Sequence, residues 1–307
     1  MISILTKDKD ACLLGRLNAK DVADRWQAVL SVNVGEEFRS LGVIEYWKCN
    51  DTGFCWYTPG VAAGGAELYV QLQEFDWYYK REKWEFSAAI ELIAENEAVL
   101  EVGVGEGYFL DVAKKRNRNN LVGLELNPKS ADKARNLGFR VYDVPLAKLR
   151  EETTERFDVV CAFQVLEHVP DPRQFLEGMI CMLRPGGRLI LSVPNAEIMR
   201  KIDPGCRDLL NSPPHHMGHW DENCLRALQR VLPLELTLIR REPLADYHVS
   251  WILTAYLRSF LSSFGTVIPR LLFNRYTLMP IELVMKLGLR RFFHGHTILV
   301  EFLHKPN

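Results

Sequence analysis

No apolar run in this chain approaches the roughly 20 residues that cross a bilayer, because Arg258 and Arg270 interrupt the longest ones, so no spanning helix is expected. No charge of one sign dominates: 38 Lys and Arg stand against 39 Asp and Glu, a formal net charge of −1. That balance removes the global electrostatic footprint of a nucleic-acid binder. Cysteine is sparse and irregularly spaced, and its count of 7 is odd, which fits reduced thiols better than a disulfide framework. The opening Met-Ile-Ser-Ile-Leu-Thr-Lys-Asp-Lys-Asp lacks the basic-then-apolar order of a secretory leader. Internal repeats and low-complexity tracts are lacking too. These absences set the expectation of a cytoplasmic globular protein. Its 307 residues suffice for one α/β domain with additions, or for two modest domains.

What is present divides near residue 86. Residues 1–86 are rich in aromatics, among them Phe38, Trp47, Trp56 and the run Phe75-Asp-Trp-Tyr-Tyr79, with turn signals at Asn50-Asp-Thr-Gly53 and Pro59-Gly60. They predict a small N-terminal subdomain with a connecting helix. From residue 87 a strand–helix rhythm begins: strands at Val99-Leu-Glu-Val102, 120–125, 139–142, 157–162 and 189–193, with helices at 108–115, after Asn127-Pro128 and at 173–183. Arg184-Pro-Gly-Gly187 reads as a turn. Alternating apolar strands and amphipathic helices predict a parallel sheet covered on both faces. A helix at 222–231, a strand at 234–239, a largely helical insert at about 248–295 and a last strand at 297–302 complete the chain.

The first strand runs into its helix through Glu101-Val-Gly103-Val-Gly105-Glu-Gly107-Tyr108. Glycine lets the backbone approach a ligand with no Cβ in the way, and the helix start offers free N–H groups to an anion. Tight strand–helix turns also need glycine for steric reasons alone. The spacing G-x-G-x-G differs from the dinucleotide fingerprint G-x-G-x-x-G, with Tyr108 in the place of its third glycine. That difference opposes a nicotinamide-dependent oxidoreductase. Glu125, at the end of the next strand, suits a carboxylate accepting from a ribose diol, or else a solvated strand end. Asp143-Val144 ends the third strand, where a carboxylate could meet an adenine amino group or simply serve a turn.

These segments, together with Gly-Leu-Glu-Leu-Asn-Pro128, Phe157-Asp-Val-Val-Cys-Ala-Phe-Gln-Val-Leu-Glu-His-Val-Pro-Asp-Pro172 and Leu183-Arg-Pro-Gly-Gly-Arg-Leu-Ile-Leu-Ser-Val-Pro-Asn195, resemble in order and spacing the motifs of class I S-adenosylmethionine (SAM)-dependent methyltransferases. The resemblance covers about residues 86–240, and Gly295-His-Thr-Ile-Leu-Val-Glu-Phe302 is similar to that superfamily's antiparallel seventh strand. It implies a Rossmann-like, doubly wound seven-stranded sheet with the last strand antiparallel, and SAM as cofactor. Glu101, Gly103, Gly105 and Gly107 should then surround the methionine and ribose parts, and Glu125, beside Leu126, the ribose diol. Asp143 and Val144 should flank the adenine. Phe163 and Gln164 should line the cofactor near its sulfonium, and Tyr79 belongs to an aromatic segment that folds over it in related enzymes.

The acceptor side is less determinate. His168 lies just past the fourth strand, where imidazole suits a general base, although a positional role is equally compatible with methyl transfer by alignment alone. Pro213-Pro-His-His-Met-Gly-His219-Trp220 resembles a Pro-Pro-His-His-x-x-x-Trp element of enzymes that methylate quinone-type oxygens or modify sugars. It makes His215 and His216 acceptor candidates, or parts of a packed loop closing on the sheet. Three histidines of that loop without a nearby carboxylate or cysteine pattern predict no metal. Relatives with such a layout begin with a zinc ribbon. Here Cys49-Asn-Asp-Thr52 resembles its second knuckle with one ligand replaced, and Cys12-Leu-Leu-Gly15 a poor remnant of the first, so a degenerate, metal-free ribbon is expected. The 248–295 insert carries Arg258, Arg270, Arg275, Lys286, Arg290 and Arg291 against Glu282 alone. It reads either as a basic amphipathic surface for peripheral membrane contact or as a helical cap or homodimer interface. The expected function is methyl transfer to a small-molecule or lipid-linked acceptor, on oxygen, of sugar, phenol or quinone, or polyprenyl type. A non-catalytic SAM-binding protein is the alternative. No base-flipping motif ends the fourth strand, and no nucleic acid is expected as partner.

Overall fold

The computed structural model describes residues 1–75, 78, 80–203, 208–250, 252–254 and 275–305. The amino-terminal part forms strands β1 (Ala11–Asn18), β2 (Val43–Cys49) and β3 (Cys55–Thr58), joined through the helix Ala19–Leu30. Asn18 caps that helix by accepting from the Asp21 N–H, and Val22, Ala23 and Trp26 form its buried stripe. The central strands follow as the sequence predicts: β4 (Val99–Val102), β5 (Leu121–Leu124), β6 (Arg140–Tyr142), β7 (Phe157–Phe163) and β8 (Leu183–Pro194). Every residue of β4 and β5 is buried, as expected where helices cover both faces of a parallel sheet. The strand β8 starts earlier than expected. Leu183 already pairs with Phe157, and a register shift before Val159 absorbs Arg184–Gly187, so the expected turn is an irregular stretch inside the strand.

Next come β9 (Gly218–His219), β10 (Leu234–Pro243) and β11 (His294–His304). The large sheet has seven strands in the order β10-β11-β8-β7-β4-β5-β6. The pairs β4–β5, β4–β7, β5–β6 and β7–β8 are parallel, and β11 runs antiparallel to both neighbours. This is the expected Rossmann-like fold with its last strand reversed. The order reverses at β4, so ligands belong in the crevice beyond the carboxyl ends of β4 and its neighbours.

The smaller sheet has the order β1-β2-β3-β9. Its fourth strand comes from the Pro-Pro-His-His loop far along the chain, with Cys55 opposite His219 and Trp56 opposite Gly218. Phe54 stacks on Trp56 and tilts against Trp220, with ring centroids 5.7 and 4.4 Å apart. One apolar core runs from Leu5, Phe54 and Trp56 through Trp220 to Leu100, Val160 and Leu189 of the large sheet. Packing is therefore continuous across residue 86.

The ribbon remnant is laid out differently from the expectation. Cys12 is exposed on β1. Opposite the Cys49–Thr52 turn lies Ser3–Thr6, where Ser3 Oγ accepts from the N–H groups of Leu5 and Thr6. Cys49 Sγ accepts from the Thr52 N–H at 3.5 Å, and Thr52 Oγ1 from the Phe54 N–H at 3.2 Å. Ser3, Cys49 and Thr52 are all buried. Hydroxyls thus complete turns that thiolates complete in a zinc knuckle.

Candidate functional site

At the carboxyl end of β4 the chain turns through Gly103, Gly105 and Gly107, all at positive φ (78°, 54° and 85°). The N–H groups of Gly103 and Val104 both donate to Leu124 O. Crowding adds to the conformational demand: a Cβ on Gly103 would sit 2.5 Å from Val165 Cγ2, and one on Gly107 3.0 Å from Ala134 Cβ. These two glycines are therefore required by packing around the loop as well as by its turn. Glu106 is held by Lys133 and Tyr108, which ties the loop to the following helices.

Glu125 is positioned by the backbone. Its Oε2 accepts from the Gly105 N–H and its Oε1 from the Asn127 N–H, each at 2.8 Å. An ionised carboxylate has about four acceptor sites, so acceptor capacity remains for a diol. Burial raises its pKa, against the backbone donors of Asn127, Gly105 and Leu126. Glu101, on β4, is buried with Oε2 lacking a hydrogen-bond partner among the described residues. Burial pushes its pKa well above the usual carboxylate value, with Lys83 opposing and Glu125 adding to the shift. An orphaned carboxylate oxygen beside a glycine turn, next to a pre-oriented carboxylate, fits a ligand with a cationic head and a ribose diol.

The other expected cofactor residues are distributed unevenly. Leu126 is exposed. Asp143 pairs with Arg135 at 3.0 Å and is half-exposed, while Val144 packs on the core edge. Gln164 takes a left-handed φ of 56°, donating from its backbone to Ser192 O at 3.0 Å. The Phe163 ring is buried in the core. It packs between Phe86 and Phe109, at centroid distances of 5.5 and 4.6 Å, because an inward position on a strand buried on both faces points into the helical layer. Only its backbone reaches the strand end. Tyr79 lies outside the described residues.

The acceptor candidates converge. Residues 211–220 are buried throughout, and this loop is held by the Met217 N–H donating to Glu167 O and the Tyr57 N–H donating to Met217 O. It brings His215 and His216 against His168, in the turn Leu166–His168, with ring centroids 4.5 and 5.0 Å from the His168 ring. Tyr78 OH lies 3.0 Å from His215 Nε2, and Tyr69 stands edge-on to His168 at 5.7 Å. His219 is elsewhere employed, bonded to Tyr46 OH and Asn211 O. Burial lowers the pKa of all three clustered rings: His168 to about 4, and His215 and His216 well below the usual value. The carboxylate that the sequence pattern did not offer is Glu167, whose Oε1 lies 4.0 Å from His168 Nε2 and whose pKa burial raises to about 8.

Several residues of this region carry no sequence signal. Lys83 and Glu85, at the start of the helix Trp84–Ile90, lie close enough to the buried acids to perturb them. Glu242, near the end of β10, accepts from the Thr297 N–H at 3.2 Å, and burial together with the like charge of Glu85 raises its pKa to about 6. A single charged residue at an element end has no periodicity to betray it.

The family model described as "Methyltransferase domain" matches residues 76–237, more than half of the chain. A mitochondrial ubiquinone biosynthesis O-methyltransferase of Dictyostelium discoideum is 24% identical over 150 residues, covering 43% of this chain and 47% of its own length. The chain thus spans about half the length of that relative. A ubiquinone biosynthesis O-methyltransferase of Aliivibrio fischeri is 28% identical over 167 residues, covering 52% of this chain and 70% of its own. Among solved structures, a SAM-dependent methyltransferase from Archaeoglobus fulgidus has a TM-score of 0.48 at 16% identity, covering 76% of this chain and 99% of that one. With its seven-stranded sheet, glycine turn and paired carboxylates, the chain belongs to the methyltransferase-domain family, a class of enzymes whose methyl donor is SAM.

Proposed function

We propose that this protein methylates a hydroxyl oxygen of a small or lipid-linked acceptor, of phenol or quinone, sugar or polyprenyl type. The observation that carries this reading is the cluster of buried His215 and His216 with the partly buried His168, with Tyr69 and Tyr78, beside the Gln164 turn at the carboxyl edge of the sheet. The relatives of Dictyostelium discoideum and Aliivibrio fischeri, both ubiquinone biosynthesis O-methyltransferases, support oxygen as the acceptor atom. SAM supplies an electrophilic methyl group on a sulfonium, displaced in line by the incoming oxygen. Glu125 would hold the ribose diol, Glu101 the cationic head, Asp143 and Val144 the adenine edge, and Gln164 would face the sulfonium side. A neutral imidazole, which burial enforces here, can accept the hydroxyl proton as the oxygen attacks.

A lipid-linked acceptor is favoured by the surface near the carboxyl terminus. On the helix Arg275–Lys286 and the turn Leu289–Phe292, the residues Met279, Leu283, Val284, Leu287 and Phe292 are 53–83% exposed, beside exposed Lys286 and Arg291. An apolar patch flanked by cations suits an anionic lipid surface. No helix among the described residues is long and apolar enough to cross a membrane, so the contact would be peripheral. Trp251 and the cations Arg258 and Arg270 of the insert lie outside the described residues.

The test is methyl transfer from labelled SAM into phenols, sugars and polyprenyl-linked hydroxyls, with flotation on phosphatidylglycerol vesicles as a second arm. Label on an acceptor oxygen, reduced strongly by His215→Ala, is expected. Donor binding with no transfer to any acceptor would favour a non-catalytic SAM-binding protein. Flotation abolished by Leu287→Glu with Phe292→Glu is expected, whereas a vesicle-independent dimer dissociated by those changes would make the patch a self-interface.

A further inference from the structure

The three imidazoles also present a pattern that proton transfer alone does not use. One ring nitrogen from each of His168, His215 and His216 lies within 4.8 Å of the others. Backbone carbonyls determine which ring nitrogens carry hydrogen. His168 Nδ1 is 2.6 Å from His215 O, and His215 Nδ1 is 2.8 Å from Leu210 O. A carbonyl only accepts, so both Nδ1 atoms carry hydrogen and both Nε2 atoms carry lone pairs. Metal-ligating histidines are oriented in this way, the second nitrogen donating to a carbonyl or carboxylate. His216 is 7% exposed and stacks on His215 at 4.6 Å, yet among the described residues its ring nitrogens have no hydrogen-bond partner.

We propose that His168, His215 and His216 form a three-nitrogen site for a divalent transition metal, with zinc(II) as the reference ion and a fourth position open to an oxygen donor. Neutral nitrogen ligands select a borderline ion over magnesium or calcium, which take oxygen. Zinc–nitrogen bonds of roughly 2.0–2.1 Å place tetrahedral ligand atoms about 3.3 Å apart, so the rings must close by at most about 1.5 Å from the 4.8 Å limit. Tyr78 OH, 3.0 Å from His215 Nε2, must swing away or become the oxygen donor. Glu167, with Oε1 4.0 Å from His168 Nε2 and Oε2 without a partner among the described residues, would be ionised by the bound cation and so supply counter-charge. Held at the open position, an acceptor hydroxyl would lose its proton more readily, to the Glu167 carboxylate in place of an imidazole whose lone pair the metal holds; this role, unlike the binding, rests on the hydroxyl-acceptor reading.

The test titrates the chelator-treated full chain with zinc(II) and cobalt(II). One ion per chain is expected, with visible cobalt d–d bands and no thiolate charge-transfer band. Because losing even an outer-shell partner costs roughly 10–100-fold in affinity, His215→Ala and His216→Ala should each weaken binding by at least about 100-fold. Both should keep their thermal shift with S-adenosylhomocysteine, and Cys49→Ser should bind metal normally. Unchanged affinity in the histidine variants, or loss of binding in Cys49→Ser, overturns the site and places any metal on the ribbon remnant. X-ray absorption of the zinc-loaded natural sequence needs no variant: imidazole scattering is expected, and an all-oxygen or sulfur shell overturns the site. Normal metal binding without methylation of any hydroxyl would instead count against the acceptor reading.

Discussion

A methyl group added to Gly103 meets Val165 Cγ2 at 2.5 Å while the backbone stays at a φ of 78°. The neighbour is β-branched and stiff, so it cannot step aside at little cost. Gly103→Ala should therefore destabilise by about 2–3 kcal/mol. In a Val165→Ala background the steric share disappears and about 1 kcal/mol of conformational cost remains. Urea unfolding of the double-mutant cycle reads this coupling, and simple additivity would refute the steric account. Glu242 makes a second case. It faces Glu85 and Lys80, and it is bonded to Thr297 and the His296 backbone. Its pKa rises from 4.5 to about 6 on folding, so the folded state favours the protonated form. The stability this contributes is fully present below about pH 4.5 and is lost as pH rises through about 6, a total of about 2 kcal/mol. Glu242→Gln should thus stabilise the protein near pH 7.5 by up to about 2 kcal/mol, less the lost attraction to Lys80, and bring no gain near pH 4. Thermal melts at the two pH values decide it; an equal gain at both would exclude Glu242 ionisation as the cause.

Elements differ in how much of themselves they write into the chain. The strands β4, β5 and β7 were legible because each is a mostly apolar run with a marked residue at or near its end: Glu101 before the glycine turn, Glu125 before Asn127-Pro128, Phe163 before Gln164. The facing of Phe163 was not legible, since such a strand has no polar side to set the alternation. The strand β9 was hidden for another reason. Its two residues sit in a Pro, His and Gly loop and pair with β3 across more than 150 positions, so no local period exists to find. At the ribbon-like turn the sequence pattern shows Thr52 in place of a cysteine, but it gives no sign of Ser3, whose hydroxyl lies outside any cysteine spacing. What closes the seam is Trp220, 1% exposed and tilted on Phe54 at 4.4 Å. Trp220→Ala should cost about 3–5 kcal/mol, and Trp220→Phe less than half of that, because the indole N–H has no hydrogen-bond partner among the described residues. Equal losses in the two variants, measured by chemical denaturation, would contradict a packing role.

The whole molecule inherits its cooperativity from that seam. The small sheet borrows β9, the residue after β9 bridges Asn195 at the end of β8, and one core spans both sheets. The small sheet is thus incomplete without the later part of the chain, and the amino-terminal part should not melt separately from the methyltransferase fold. Donor binding tests this more sharply than unfolding alone. The residues that fit the donor lie at the ends of β4 and β5, far along the chain from β1 and β2. S-adenosylhomocysteine at about 100 times its Kd stabilises whatever unit contains its site by roughly 2.7 kcal/mol. If the two sheets form one cooperative unit, calorimetry shows a single transition that moves as a whole, and the fluorescence of Trp26 and Trp56, buried in or beside the small sheet, shifts by the same increment as the far-ultraviolet signal of the large one. A tryptophan transition that stays in place while the second moves would mean that the shared core does not couple them. Chains beginning at residue 87 probe the same coupling from the other side. They leave Trp220 without Phe54 and β9 without a neighbour, so they should fail to bind the homocysteine product although Glu101, the glycine turn and Glu125 are retained.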